Sequence, residues 1–596
     1  MSALDRVFRS RRPSQERPLA AIIAALWRNG EQGVWYDPSA LATMFQDASG
    51  TLPAYMPGGG QVDPPVGLLL DKRRGLARGQ ERLTNGDFAS TAAWVESGVG
   101  VALSAAAGEL QITSASPLGA YQQPNNFVSG RWYVVTGQIR VGSAASVSIR
   151  TVAGGSSLGT MVAESQVVTS SAYVAVSYMF QATGTANAIY LRVGTTNSTA
   201  FFKSLSVREL PGNHAYQTTT TSRPTLSARY NALLASEKFD DAYWGFTSNY
   251  AVEKTGDVQD PSGGSNAWKI TSTTGSAALN KVVGAGFKNP VYTVILRAGS
   301  RNPDILVRNA TTTTNLVGGS TVSPSTSGTY GKFTNADLGG GWRKLTIEIT
   351  SGVATSDVLI VYLGSTGSVA TGQYFYVYRA DFREGNDGVG LPPYQRVVDA
   401  NTYDTAGFPL YLKPDGVDDT LTIAGSASSF AFLHNGSGSS IHIAFAPSGG
   451  AVYHTLISSG NLGAGTTVGF SLSQDDRSDG RILNIVNNGS GVLHVSQAAV
   501  TGVSSARRIV SAINALGVHE LRQERAVISP SAVEAGTASQ APASYDLTLF
   551  RAPQAGLPQA GLPQAGRFYG LVIREGLPRA AQVTSIDKYL RGKARI

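Results

Sequence analysis

At 596 residues, the chain exceeds what one ordinary hydrophobic core holds, so several domains are expected. Charged residues make up only 15% and glycine fills 68 positions, a balance that favours short strands joined by tight turns and excludes a disordered polyelectrolyte. Cysteine is absent, which excludes disulfides and thiolate chemistry, and the formal charge of +8 sits at the two ends (+3 over 1–17, +5 over 567–596) on a neutral body, which argues against a nucleic-acid channel.

The chain opens with Arg6, Arg9, Arg11, Arg12 and Arg17, then runs through nine apolar residues from Leu19 to Trp27. Such a run covers only about half a membrane span. The pattern predicts a short buried or amphipathic helix from Pro18 to Asn29-Gly30, with neither a signal peptide nor a spanning segment. The five arginines and Trp27 are expected to dock residues 1–32 on a partner as a basic anchor.

An internal repeat follows, over 83–210 and 236–386. One copy opens Leu83-Thr84-Asn85-Gly86-Asp87-Phe88 with a tryptophan at Trp94; the other opens Ser236-Glu237-Lys238-Phe239-Asp240-Asp241 with Trp244. Strand candidates correspond at 132–137 and 292–297, and each copy closes on an alternating strand, 202–209 and 375–384. Alternation at period two gives each strand one core face and one face toward water or a partner. Each copy is therefore expected to form a jelly-roll sandwich.

These copies resemble the non-catalytic carbohydrate-binding modules of the galactose-binding-like jelly-roll type. The phrase from Ser236 to Trp244 resembles the opening of modules common in phage tail proteins. That resemblance implies sugar recognition, in which exposed rings stack on pyranose faces; Tyr121, Trp132, Trp244 and Trp342 are the candidates. The competing reading places these rings in the core, and the matching positions of Trp94 and Trp244 favour it for that pair.

From Leu410 to Ile423 the sequence reads as strand, tight turn, strand, and further strand candidates lie at 440–445, 454–457, 468–472, 481–486, 545–550 and 568–573. This part resembles the laminin-G/concanavalin A-like lectin fold found in phage structural proteins. The likeness is carried by the aspartate-rich phrase 415–419 and by the ending from Gly566 to Leu590. It extends to 30–39, 45–47 and 66–72, and resumes at 212–217 and 222–226. It implies one lectin-like domain in three pieces, 33–82, 211–235 and 387–575, with two jelly rolls inserted in its surface loops; the alternative is a separate anchor followed by domains in series. Asp415, Asp418 and Asp419 offer oxygen ligands for Ca²⁺ or simply form a hairpin turn, and no cofactor is required. Residues 576–596 are expected to form a short helix with Ala581, Val583, Ile586, Tyr589 and Leu590 on one face, ending in a basic tail. The fold class is mainly β, with multidomain β-sandwiches and short terminal helices.

The six histidines show no metal-ligand spacing, and no zinc-protease, phosphate-loop or hydrolase-nucleophile signature is present. A glycosidase would take two carboxylates from a set such as Glu109, Asp415, Asp475 and Glu520, and no motif singles out a pair. The resemblances imply a non-enzymatic virion structural protein of a tailed phage, tail-associated and made in the host cytoplasm. Its expected partners are other virion proteins, further copies of itself and a host-surface polysaccharide. The alternatives are an architectural head or collar decoration and, third, a polysaccharide-degrading enzyme.

Overall fold

The computed structural model describes residues 18–596 apart from 55–62, 155–158, 246–249, 274–278, 355, 365–368, 448–452, 461–466, 476–479, 489–492, 500–505, 516–517, 529–538 and 553–565. Arg6, Arg9, Arg11, Arg12 and Arg17 lie outside the described residues.

The first repeat folds into two five-stranded antiparallel sheets. One orders the strands Val174–Gln181, Trp132–Val141, Ser198–Glu209, Glu109–Ser114 and Val101–Ala106; the other contains Met161–Glu164, Val147–Val152, Ala188–Val193, Gly119–Gln122 and Val95–Glu96. The second repeat runs in the same order. Its larger sheet places Trp342–Ile349, Pro290–Ala298, Tyr374–Glu384, Trp268–Ser272 and Tyr250–Lys254 side by side, and adds Gly331–Gly339 and Thr326–Ser327 at the Trp342 edge. Alternate residues fill each interior, for example Tyr133, Val135, Ile139 and Val141 in one and Tyr292, Val294 and Leu296 in the other.

The duplication reaches single hydrogen bonds. Trp94 Nε1 donates to the Asn85 carbonyl at 3.1 Å, and Trp244 Nε1 to the Ala235 carbonyl at 3.0 Å, each nine residues back. Each indole lies against a phenylalanine, Phe88 at 5.4 Å and Phe239 at 5.3 Å.

The third sandwich consists of an eight-stranded and a nine-stranded sheet, and it draws strands from both sides of each repeat. Gly33–Tyr36 pairs with Gly566–Glu575, Val34 opposite Ile573. Leu68–Leu69 pairs with Met44–Phe45 and with Ala215–Tyr216, and Tyr216 lies opposite Thr422. Thr225–Ser227 pairs with Tyr411–Lys413. Val34, Leu69, Leu226, Phe445, Phe470 and Leu571 share one core. The aspartate-rich phrase departs from expectation: Tyr411–Lys413 belongs to the eight-stranded sheet and Leu421–Ile423 to the nine-stranded one. It is a crossover between sheets and not a hairpin.

The N-terminal helix, Leu19–Ala24 with a 3₁₀ turn Ala25–Trp27, corrects the expectation for Trp27. That side chain is 1% exposed and stacks on Trp35 at 6.5 Å, while Trp35 meets Tyr589 edge-on at 5.5 Å. A ring so enclosed has no surface left for a separate partner. The C-terminal helix Ala580–Ala594 buries Val583, Ile586, Tyr589, Leu590 and Ala594, a three-to-four spacing that makes one stripe; Ala581, in the first turn, stays exposed. The basic tail folds back on its own domain: Lys593 lies 3.1 Å and Lys72 2.6 Å from the buried carboxylate of Asp37. Burial alone would raise that acid, but the two ammonium groups outweigh it and hold it well below the usual carboxylate range.

Candidate functional site

Three of the four candidate sugar-stacking rings have no open face, which corrects the expectation for them. Trp244 is 0% exposed in the second core, Trp132 4% and Trp342 2%. Trp132 does lie on the outward side of its sheet, but His214 and Tyr216 of the third sandwich meet it edge-on at 5.7 and 5.4 Å. Leu68, Leu70 and Leu210 complete that cover. Tyr121 is half-buried on the opposite sheet, between Val95 and Tyr190.

Beyond the part that Trp132 and Val134 give up to packing, the same face of the first sandwich is open. Strand register sets two adjacent rows of outward side chains across it. One row runs Ser104, Gln111, Phe201, Arg140 and the other Ala106, Glu109, Lys203, Gln138, Ala175. Neighbouring strands are about 4.8 Å apart, so each row spans the width of several strands. Tyr173, just before Val174–Gln181, joins the first row. The Arg140 guanidinium lies 3.6 Å from the Phe201 ring centre and 5.1 Å from that of Tyr173; it also reaches Glu109 at 3.3 Å. The Tyr173 hydroxyl donates to Glu109. Burial, and then this bond to a carboxylate, push that phenol up to about 12, so it remains a neutral donor. The face thus alternates ring, cation, acid and amide, the mixture that matches hydroxyls and apolar ring faces of a sugar.

Sequence reasoning missed Tyr173, Phe201 and Arg140. The signal was the alternation of Ser198–Glu209, whose burial follows the pleat as far as Phe202; an outward Phe201 beside an inward Phe202 is legible from it, whereas its neighbours depend on register.

The second sandwich carries a comparable row, Glu253, Lys269, Tyr376, Arg297 and Trp342. There residues 255–266 lie over one end. The Gln259 carbonyl accepts from Trp342 Nε1 at 2.8 Å, Ser262 Oγ is 2.9 Å from the Tyr378 hydroxyl, and Val258 packs beside them. The segment is pinned by Asp260, whose carboxylate accepts from the amides of Ser262, Gly264 and Asn266. The second copy therefore covers the Trp342 end of its row and leaves Glu253 exposed.

In the crossover turn, oxygens of Asp415, Asp418 and Asp419 lie within 4.8 Å of one another. Asp415 Oδ1 accepts from the amides of Val417 and Asp418, Asp419 Oδ2 from the amide of Asp415, and Asp418 Oδ2 from Ser222 Oγ. Ca²⁺ takes about six to eight oxygens; the three carboxylates offer part of that number, and one oxygen of each also accepts a hydrogen bond that shapes the turn. Burial, with Asp415 and Asp418 nearby, raises Asp419 to about 6. The other acids sit apart: Glu109 on the open face, Asp475 at the end of Val468–Asp475 and Glu520 beside Arg522 on Val518–Gln523.

No family model matches the chain, and no curated protein matches it. Among solved structures, the CBM22-1–CBM22-2 tandem domain of Paenibacillus barcinonensis Xyn10C is similar at 14% identity and a TM-score of 0.25, covering 52% of this chain and 99% of that one. The CBM40 of the Ruminococcus gnavus IT-sialidase is similar at 12% identity and a TM-score of 0.22, covering 27% and 85%. At these values the likenesses carry no functional information.

Proposed function

We propose that this chain is a non-catalytic attachment protein of a tailed-phage particle, and that it holds a surface glycan on the open face of the first sandwich. The observation that carries the reading is the pair of outward rows around Phe201, Arg140 and Glu109. Their donors, acceptors and ring edges are fixed by the strands and by each other, so little side-chain freedom is lost on binding. The virion assignment rests on the sequence likeness of 236–244 and of the three-piece sandwich to phage structural proteins, as does assembly with other virion proteins and with further copies of the chain. An architectural role is the second reading, favoured by the packing that covers Trp132 and the 255–266 segment that covers Trp342.

The test is co-sedimentation of the purified chain with a panel of bacterial surface polysaccharides. Capture of one of them at unchanged polymer length is expected. Capture of none would favour the architectural reading, and a fall in polymer length with time would make the chain an enzyme.

A further inference from the structure

The open face of the first sandwich continues into a recess. Ala175 ends the row of Glu109, Lys203 and Gln138, and it also lines a cavity of about 400 Å³ between the first and third sandwiches. Ser177, exposed two residues further along the same side of its strand, lines that cavity as well.

Its floor is apolar. Leu70, Val134, Met179 and Leu210 are all buried, and Phe45 and Leu76 pack beside them. The wall from the third sandwich is a fixed loop. The Asp47 carboxylate accepts from the amides of Ser49, Thr51 and Leu52 and from the Thr51 hydroxyl, and the Ser49 carbonyl accepts the Met179 amide. Such a wall keeps its shape before a ligand arrives, so little ordering is needed on binding. The polar lining is exposed: Arg78, Gln166 and Ser177, whose side chains form no hydrogen bond or ion pair with a described residue. Arg78 is the one charged residue of the lining, and Asp47 in the adjoining loop carries the opposite sign, so the recess suits a neutral group.

We infer that this recess takes an acetamido sugar unit of the glycan held on the open face, an inference that rests on the reading of that face as a glycan site. The acetyl methyl meets the floor of Leu70, Val134 and Met179, and the amide meets the polar lining. A methyl leaving water for an apolar floor is favoured, whereas a sugar hydroxyl placed there loses its hydrogen bonds to water. The amide supplies an acceptor for the N–H groups of Arg78 and Gln166 and a donor for the Ser177 hydroxyl oxygen. The volume suits one sugar unit with its substituent, since ligand pockets run from about 300 to 1,000 Å³.

The experiment is titration of the full chain with chitotetraose and with cellotetraose, followed by saturation-transfer NMR. The two oligomers share one backbone and differ in an acetamido group against a hydroxyl on each ring. The native chain is expected to bind chitotetraose at least fivefold more tightly, with the strongest saturation on the acetyl methyl protons. Ser177→Trp places a ring in the recess from an exposed strand position, and Arg78→Ala/Gln166→Ala removes two donors without filling it. Both variants are expected to bring the two oligomers to within twofold of each other. Phe201→Ala/Arg140→Ala is expected to weaken both oligomers alike and to keep the acetamido preference. No binding of chitotetraose by the native chain, equal binding of the two oligomers, or a preference that persists in Ser177→Trp would overturn the inference. A persisting preference that falls only with Phe201 and Arg140 would leave the open face as the glycan site and remove the recess; a preference lost in Ser177→Trp but untouched at Phe201 and Arg140 would do the reverse.

Discussion

The main-chain amide of Asp71 donates to Nδ1 of His214 at 2.9 Å, across 143 positions of sequence. Between them the chain builds the whole first sandwich and returns. The Asp71 carboxylate accepts from the amides of Trp35 and Asn213, each at 2.9 Å, and pairs with Arg73. One buried cluster thus closes the third sandwich around the insertion.

His214 gives that closure a pH dependence. Burial, chiefly, depresses its imidazole to about 3. The unfolded chain takes up a proton below about pH 6.5 while the folded chain does not, so stability present above that pH is lost as pH falls toward 3. His442 is depressed by burial in the same way, so His214 accounts for part of the loss. Asn at 214 retains an acceptor near the Nδ1 position and cannot titrate. Urea unfolding at pH 7 and pH 4.5 should show a smaller acid loss in His214→Asn, by on the order of 2 kcal/mol; identical losses would remove His214 from the account.

The aspartate turn has the opposite sign. With Asp419 raised to about 6, its contribution is full below about pH 4 and is lost as pH climbs through 6. Asp419→Asn should therefore raise the melting temperature at pH 7.5 and make no difference near pH 4. Chelator should leave the native melt unchanged. A chelator-induced drop that vanishes in the Asp415/Asp418/Asp419 triple Ala variant would instead place a cation in the turn.

Truncation separates the basic arm from the helix behind it. Deletion of 1–17 is the reference for the longer deletion. Deleting 1–28 strips Ile23, Leu26 and Trp27 from the core and should cost several kcal/mol, since loss of one buried tryptophan side chain alone costs about 3–5 kcal/mol. Equal melts for the two deletions would contradict the burial of Trp27.

Much of the architecture was legible in sequence because it is carried by pattern: the repeated Phe88/Trp94 and Phe239/Trp244 openings and the alternating closing strands. What sequence hid was tertiary cover. Trp132 and Trp342 both begin strands and face outward, as a sugar-stacking ring would, and only packing by Tyr216 in one case and the 255–266 segment in the other removes them from solvent. The Asp415 phrase likewise looks like a hairpin until the two flanking strands are seen to join different sheets.

Trp342→Ala should therefore act on stability. It leaves a cavity against Tyr378 and frees the Gln259 carbonyl, at a cost of about 3–5 kcal/mol. A thermal melt should show the second sandwich weakened while glycan capture by the first persists. Loss of capture with an unchanged melt would restore Trp342 as a contact residue.

The most direct test of the central claim is titration of the captured polysaccharide against the native chain and against Phe201→Ala/Arg140→Ala. Removing the ring and the guanidinium over it eliminates stacking and a charged donor worth about 1–2 kcal/mol together, so a fall in affinity of about five- to thirtyfold is predicted, with the melt of the first sandwich retained. Equal affinity in the two chains would contradict glycan binding on this face.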